Sequence, residues 1–372
     1  MGLRIVPGTA NPLLAGAIAR ALSTGPVRYE LERFPDTEMR PALGRLGGDD
    51  VYVIQPTGPP VSDHLVELLL LLDACRRGGA GRITAILPYF GYARQDRRGQ
   101  DGEAVGARVV ADALAAAGAD RMVVVDPHSI ALEAMCGIPV EMLTAVPALA
   151  SALARECGSG SVVVAPDLGA VKLAEHYASL LERPVAVVRE TRVSGAAVRA
   201  EQMAGDVAGR PAVIIDDMIS TGATVEAAAG VLLAYGAEPP FVVAVTHGLL
   251  VADAAARLER VPVRSVVTTD SLPQSHRPAP AMQTRRGLTP GECRGLLAHC
   301  LSFPAPAGRT AACRFLLAGR SFGAAADSHR DVDWPGRGRT RTGGPARDHG
   351  PELVTYGPYR LARSWHCLEG RR

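Results

Sequence analysis

The chain has 372 residues, 47% of them apolar and 21% charged, and a formal net charge of +2. Those fractions support a sizeable core, exclude wholesale disorder, and suit two domains better than one. The balanced charge excludes a global field that would draw the chain to nucleic acid or to an acidic membrane.

Met1–Pro7 has no charged-then-apolar pattern, which argues against secretion. Within it Arg4–Val6 predicts a strand, and Pro12–Leu22 then predicts a helix. Strand Val51–Gln55 leads to helix Ser62–Arg77, with Ser62 as N-cap and Asp63 in its first turn. This helix holds the most apolar run, Leu65–Leu72, which Glu67 breaks and Asp73 closes. That is far short of the ~20 residues a membrane span needs. Strand Ile83–Leu87, helix Val105–Ala117 and strand Met122–Val125 follow, and Pro147 and the Glu156–Ser161 stretch mark a junction. The alternation then resumes: strand Val162–Ala165, helix Leu168–Leu181, strands Val185–Val188 and Ala212–Ile215, helix Thr224–Tyr235 stopped by Gly236, and strands Phe241–Val245 and Ser265–Thr268. Strands that read as unbroken apolar runs are buried on both faces, as in parallel sheets, so the chain reads as α/β with right-handed crossovers.

The series runs twice, over residues 1–145 and 146–283, and then fails. Residues 285–372 carry 15 Arg against 7 Asp and Glu, both tryptophans and four of the seven cysteines. Residues 284–372 read as an irregular Arg/Gly/Pro-rich tail, either a disordered extension or the product of a frameshift. Its arginines are not interleaved with aromatics as in an RNA-binding module, so no nucleic-acid partner is expected. Cys75, Cys136 and Cys157 are isolated, as suits reduced thiols of a cytosolic protein. Cys293, Cys300 and Cys313, with His299, match no common zinc spacing.

The most informative stretch is Val213–Thr224, where an apolar strand ends in Asp216 and Asp217 and a loop of Ser220, Thr221, Gly222, Ala223 and Thr224 opens a helix. Small residues, hydroxyls and a helix N-terminus make an anion cradle. The two acids suit ribose hydroxyls or a cation held against phosphate. No Gly-Lys-Ser/Thr occurs, so this is not a Walker A loop.

The loop resembles the phosphoribosyl diphosphate (PRPP) motif shared by type I phosphoribosyltransferases and PRPP synthases. Pro88–Arg98, Phe34–Glu38, Asp126–Ser129, Val164–Gly169 and Thr246–Gly248 resemble segments of the synthases, the ribose-phosphate diphosphokinases, and fall in that family's order. The resemblance covers about residues 3–283. It implies two similar Rossmann-like domains of phosphoribosyltransferase type I with mainly parallel sheets, and homo-oligomerisation with dimer contacts contributing to the ATP site. It implies transfer of the diphosphoryl group of ATP to the C1 hydroxyl of ribose 5-phosphate. It places ATP on Asp36, Thr37, Glu38, Arg94 and Gln95, Mg²⁺ on His128 and Asp167, with Asp126 a weaker candidate, and ribose 5-phosphate on Asp216, Asp217 and residues 220–224. Arg94 and Arg97 suit phosphate pairing or stacking on a purine, and Gln95 an adenine or ribose edge.

Three departures stand out. Thr37 occupies a position usually glycine, at a cost if φ is positive there. Ser220 and Ala223 replace a common Asp and Gly, tolerably if Ala223 keeps a negative φ. In Val188–Gly195, Arg192 falls on the family's catalytic arginine, but Glu190 falls on its lysine, with Arg189 a possible substitute. The chain's one lysine, Lys172, falls in a predicted helix after Asp167 and away from that position. Besides the synthase, two rivals stand: an impaired homologue that binds nucleotide and regulates a partner, favoured by Glu190, and a PRPP-using phosphoribosyltransferase, which leaves residues 34–38 and 88–98 without a role.

Overall fold

The computed structural model describes residues 2–194 and 197–273, apart from the side chains of residues 190–201. The tail expected from residue 284 lies outside the described residues, as do Cys293, His299, Cys300 and Cys313.

The elements in chain order are β1 (Leu3–Pro7), α1 (Pro12–Ala21), β2 (Glu30–Arg33), β3 (Met39–Ala42), β4 (Asp50–Ile54), α2 (Val61–Arg77), β5 (Arg82–Leu87), α3 (Gly106–Ala117), β6 (Arg121–Val125), α4 (Leu132–Met135) and β7 (Val140–Leu143). There follow α5 (Val146–Glu156), β8 (Val162–Ala165), α6 (Val171–Leu181), β9 (Val185–Ser194), β10 (Ala197–Ala204), β11 (Pro211–Ile219), α7 (Ala223–Ala234), β12 (Glu238–Gly248), α8 (Ala254–Glu259) and β13 (Val263–Thr268). Every strand and helix expected from the sequence is present.

The first sheet has the order β1-β4-β5-β6-β7, with every neighbouring pair parallel. The second has the order β10-β9-β8-β11-β12-β13 and is parallel except where β10 runs antiparallel to β9. Strand residues alternate between two buried faces, as the unbroken apolar runs require. On the first sheet Val51, Val53, Ala85 and Leu87 meet α2 and α3, while Tyr52, Ile54 and Ile86 meet α1. On the second, Val162, Val164, Ile214 and Val243 meet α7, while Val163, Val213, Ile215 and Val242 meet α5 and α6. Cys75 is buried in the first core, and burial pushes its thiol up to about 12. Glu67 is fully buried, its carboxylate accepting from the Thr9 N–H at 2.8 Å and the Thr9 hydroxyl at 2.5 Å, which pins the turn between β1 and α1.

The structure adds elements and moves boundaries. Pro147 does not break the chain; it sits in the first turn of α5, where a missing N–H costs nothing. Ser62 is not an N-cap: α2 begins at Val61 after Pro60, and the Ser62 hydroxyl lies 3.1 Å from that of Tyr92. The helix expected from Leu168 starts at Val171, because Leu168–Ala170 form a turn closed by the Asp167 carboxylate. Beyond Val188, strand β9 continues to Ser194 and pairs with β10.

β2 and β3 form a separate two-stranded hairpin. Its tip, Phe34–Glu38, closes with Thr37 N–H on the Phe34 carbonyl at 2.9 Å, and this puts Thr37 at φ +77°. A β-branched residue in the left-handed region costs about 1–2 kcal/mol. Thr37→Gly is therefore expected to stabilise the protein by about 0.5–1 kcal/mol, net of the added freedom of the unfolded chain. Urea denaturation with an unchanged m-value would check this; a destabilised variant would show that the hairpin tip does not carry the strain.

Candidate active site

The two sheets meet at the carboxyl ends of their central strands, where open α/β sheets collect their ligands. Asp126 follows β6 at φ +36°, and its Oδ2 accepts from the Ala145 N–H at 2.9 Å and the Thr246 hydroxyl at 2.7 Å. The buried His247 on β12 reaches the same corner. Its Nε2 faces the carbonyls of Val125 at 3.1 Å and Asp126 at 3.2 Å, so Nε2 carries the proton and Nδ1 accepts from Ser271 Oγ at 2.9 Å. The ring of Tyr89 stands edge-on to it, centroids 5.1 Å apart. The chain after β13 then crosses back to the first sheet: Asn11 Nδ2 donates to the Asp270 carbonyl at 2.8 Å, and Leu272 packs with Tyr89 and Met218.

Beside this joint lies a cleft of about 1200 Å³. The first half of the chain lines it with Arg94, Asp96, Arg97, Asp126 and His128, and the second half with Asp167, Lys172, Asp216, Asp217 and Thr246. Residues of the two halves from 39 (His128 and Asp167) to 152 (Arg94 and Thr246) positions apart in sequence thus share one wall, as the βα alternation requires of loops after parallel strands.

Asp216 and Asp217 end the apolar part of β11. Burial, then the charges of Asp217 and Asp167, push the Asp216 carboxyl well above the usual range. Burial also acts to raise Asp217, but the hydrogen bond and charge of His128 outweigh it and hold this carboxyl below its ordinary value. The bond is short, His128 Nδ1 to Asp217 Oδ2 at 2.7 Å, and it raises the His128 imidazole above its ordinary value. One acid of the pair is therefore pushed up and the other held down. His128 is thus paired with Asp217, while Asp167 Oδ1 accepts from the Ala170 N–H at 3.0 Å.

Beyond β11 the chain forms the turn Ser220–Thr224. Gly222 sits at φ +78°, a conformation that a side chain resists, whereas Ala223 is the first residue of α7 and carries no such strain. The backbone N–H groups of Thr221, Gly222, Ala223 and Thr224 have no acceptor among the described residues. Ser220 is fixed by its carbonyl, which accepts from Val251 N–H at 3.0 Å, and α7 is tied to α8 by Glu226, which bonds Arg257 at 2.7 Å and Arg260 at 2.9 Å.

Not every expected site residue joins the cleft wall. Gln95 folds against α3, where a Cβ on Gly106 would come within 2.5 Å of its Oε1. Asp36, Thr37 and Glu38 are exposed on the β2–β3 hairpin, away from this wall. Ser220–Thr224 form the turn just past it. Arg189 is exposed on β9; the side chains of Glu190 and Arg192 lie outside the described residues. Lys172 is on a helix as expected, and that helix brings it to the cleft wall. His247 had been visible only as part of a motif, with no role attached.

Residues 3–118 match the N-terminal domain of ribose phosphate pyrophosphokinase, and residues 197–285 the phosphoribosyl synthetase-associated domain. A ribose-phosphate pyrophosphokinase of Caldanaerobacter subterraneus subsp. tengcongensis is 39% identical over 273 residues, 73% of this chain and 86% of that one. This chain belongs to the ribose-phosphate pyrophosphokinase family. The enzyme of that name from Corynebacterium efficiens is 41% identical over 278 residues, 73% of this chain and 85% of its own. The crystal structure of phosphoribosylpyrophosphate synthetase from Mycobacterium smegmatis superposes with a TM-score of 0.71 at 34% identity, covering 80% of this chain and 100% of that one. The family match ends at residue 285, where the composition changes.

The joint gives a pH signature of opposite sign at its two histidines. Burial lowers the His247 imidazole below its ordinary value, despite the charge of Asp126. The unfolded chain then takes up a proton near 6.5 that the folded ring refuses, and stability falls as the pH drops. The parent's advantage over His247→Gln is expected to shrink from about pH 7.5 toward about pH 5. For His128, raised by Asp217, the advantage over His128→Gln is complete below its unfolded value and shrinks as the pH rises through the folded one. Urea titrations across that range check both; parallel profiles would show that neither ring is held as described.

Proposed function

We propose that the chain is a ribose-phosphate diphosphokinase, which transfers the diphosphoryl group of ATP to the C1 hydroxyl of ribose 5-phosphate and yields PRPP and AMP for nucleotide biosynthesis. The observation that carries this reading is the convergence of Arg94 and His128 from one half of the chain with Asp167, Asp216 and Asp217 from the other on a single cleft. The halves, residues 1–145 and 146–283, would be its two domains.

The geometry supports the following roles. The unbonded N–H groups of residues 221–224 at the start of α7 would receive the 5-phosphate. Asp217, hydrogen-bonded to His128, would accept from the ribose hydroxyls beside Asp216. Arg94 and Arg97 would meet phosphate oxygens, which suits a transfer that depends on positioning and on cations around the phosphoryl group. The exposed hairpin carrying Asp36, Thr37 and Glu38, remote from its own cleft, suits an ATP site completed by a second copy in a dimer-based oligomer, up to a hexamer.

Among the described residues no group of three or more His, Cys, Asp or Glu could hold a metal ion alone. Mg²⁺ takes few protein ligands and completes its shell with phosphates and water, so a sparse site fits it. The crowding of Asp216 by Asp217 and Asp167, which with burial pushes its carboxyl well above the usual range, marks a place where a divalent cation is favoured. His128, through Nε2, and Asp167 would hold it, and bound there it would neutralise phosphate charge. No helix of the described residues is long and apolar enough to cross a membrane; a cytosolic enzyme is the matching proposal.

One assay tests the reading: AMP release from ATP, with and without ribose 5-phosphate and Mg²⁺. Release that requires both supports it. ATP binding without turnover would favour the regulatory homologue, and base-dependent loss of PRPP the phosphoribosyltransferase. Glu190→Lys is expected to raise the rate, since a missing oxyanion donor typically costs about 10²–10³-fold, and Arg189→Ala to abolish what activity remains. An unchanged rate in a folded Glu190→Lys protein would show that residue 190 is not the catalytic position.

A further inference from the structure

The cations of the cleft come from both halves of the chain. Arg94 and Arg97 stand on the segment after β5, and Lys172 on the first turn of α6, which covers the second sheet. Among the lining residues of the second half, Lys172 is the one cation; Asp167, Asp216 and Asp217 are the other charged groups. Its side chain is exposed, and among the described residues it takes part in no hydrogen bond or ion pair. Nor does the helix gain from it. A cation at a helix N-terminus opposes the macrodipole, and no acid in the first turn of α6 offsets it. The chain's single lysine thus occupies a place where it does nothing for the fold, and where its charge and the helix N-terminus add positive potential beside three aspartates.

We propose that Lys172 is a phosphate-binding residue of the cleft, supplying from the second half the cation that residue 190 does not. A lysine acts on phosphate as a mobile point charge and needs no fixed fork geometry, so a flexible stem from an exposed helix position suffices. The proposal rests on the activity proposed above for the transferred group, but phosphate binding can be measured apart from that activity.

The test uses Lys172→Met and Lys172→Arg in the full-length chain, with calorimetric titrations of Mg-ATP, AMP and ribose 5-phosphate and a parallel assay of AMP release. Thermal unfolding is expected to be unchanged in both variants. Lys172→Met should weaken Mg-ATP or ribose 5-phosphate at least about tenfold and slow ribose 5-phosphate-dependent AMP release about 10²-fold. Lys172→Arg should keep most of both. Loss of Mg-ATP with AMP binding intact assigns the lysine to the β- and γ-phosphates; loss of ribose 5-phosphate assigns it to the 5-phosphate. Binding of both ligands within twofold of the parent, in a folded Lys172→Met protein, overturns the proposal. If the parent releases no AMP, the proposed activity falls while the titrations still decide whether Lys172 binds phosphate.

Discussion

The bond between a buried imidazole and two backbone carbonyls holds the rest in place. His247 sits at the end of β12 in the second sheet, but its Nε2 proton points at the carbonyls of Val125, the last residue of β6 in the first, and of Asp126 just after it. Both partners accept, so Nε2 must carry a proton, and burial disfavours a second one on the ring. The Asp126 carboxylate returns the connection through Thr246 and Ala145. Each polar group in this corner satisfies another from across the joint, so the two sheets have one relative placement and the cleft between their strand ends has one shape. The positive φ of Asp126 belongs to the same arrangement: the backbone turns sharply enough to offer both its carbonyl and its carboxylate to the other half.

The cleft itself is an electrostatic problem that the fold only partly resolves. Aspartates from three strand ends face one space. Burial pushes the Asp216 carboxyl up, while at Asp217 the bond and charge of His128 outweigh burial. Such a site is poised for cations and for the polyanions they accompany, and it is built on strand ends, which are rigid, with the small-residue turn at Gly222 placed beyond them.

Much of this was legible in the sequence. The parallel strands were readable because both their faces are buried, so each appears as an unbroken apolar run between helices of clear period. The acids at 216 and 217 stood out because they end such a run. What escaped had no such contrast. β2 and β3 read Glu-Leu-Glu-Arg and Met-Arg-Pro-Ala, an exposed hairpin with charges on both faces. α5 hid behind Pro147, a helix starter in one place and a breaker in another. His247 looked like any histidine in a motif, since only the fold reveals the carbonyls it meets. Lys172 was put on a helix correctly, but its place at the cleft was not legible, because whether a helix side chain reaches a site depends on which strand end that helix follows.

The return crossing after β13 has a consequence for the order of synthesis. Asp270, Ser271 and Leu272 are the residues that reach back to Asn11, His247 and Tyr89. A nascent chain emerging from its N-terminus could complete the first sheet, and nearly all of the second, before these clasping residues exist. The cleft would then be the last feature to acquire its shape, locked only once the segment that closes it has left the ribosome.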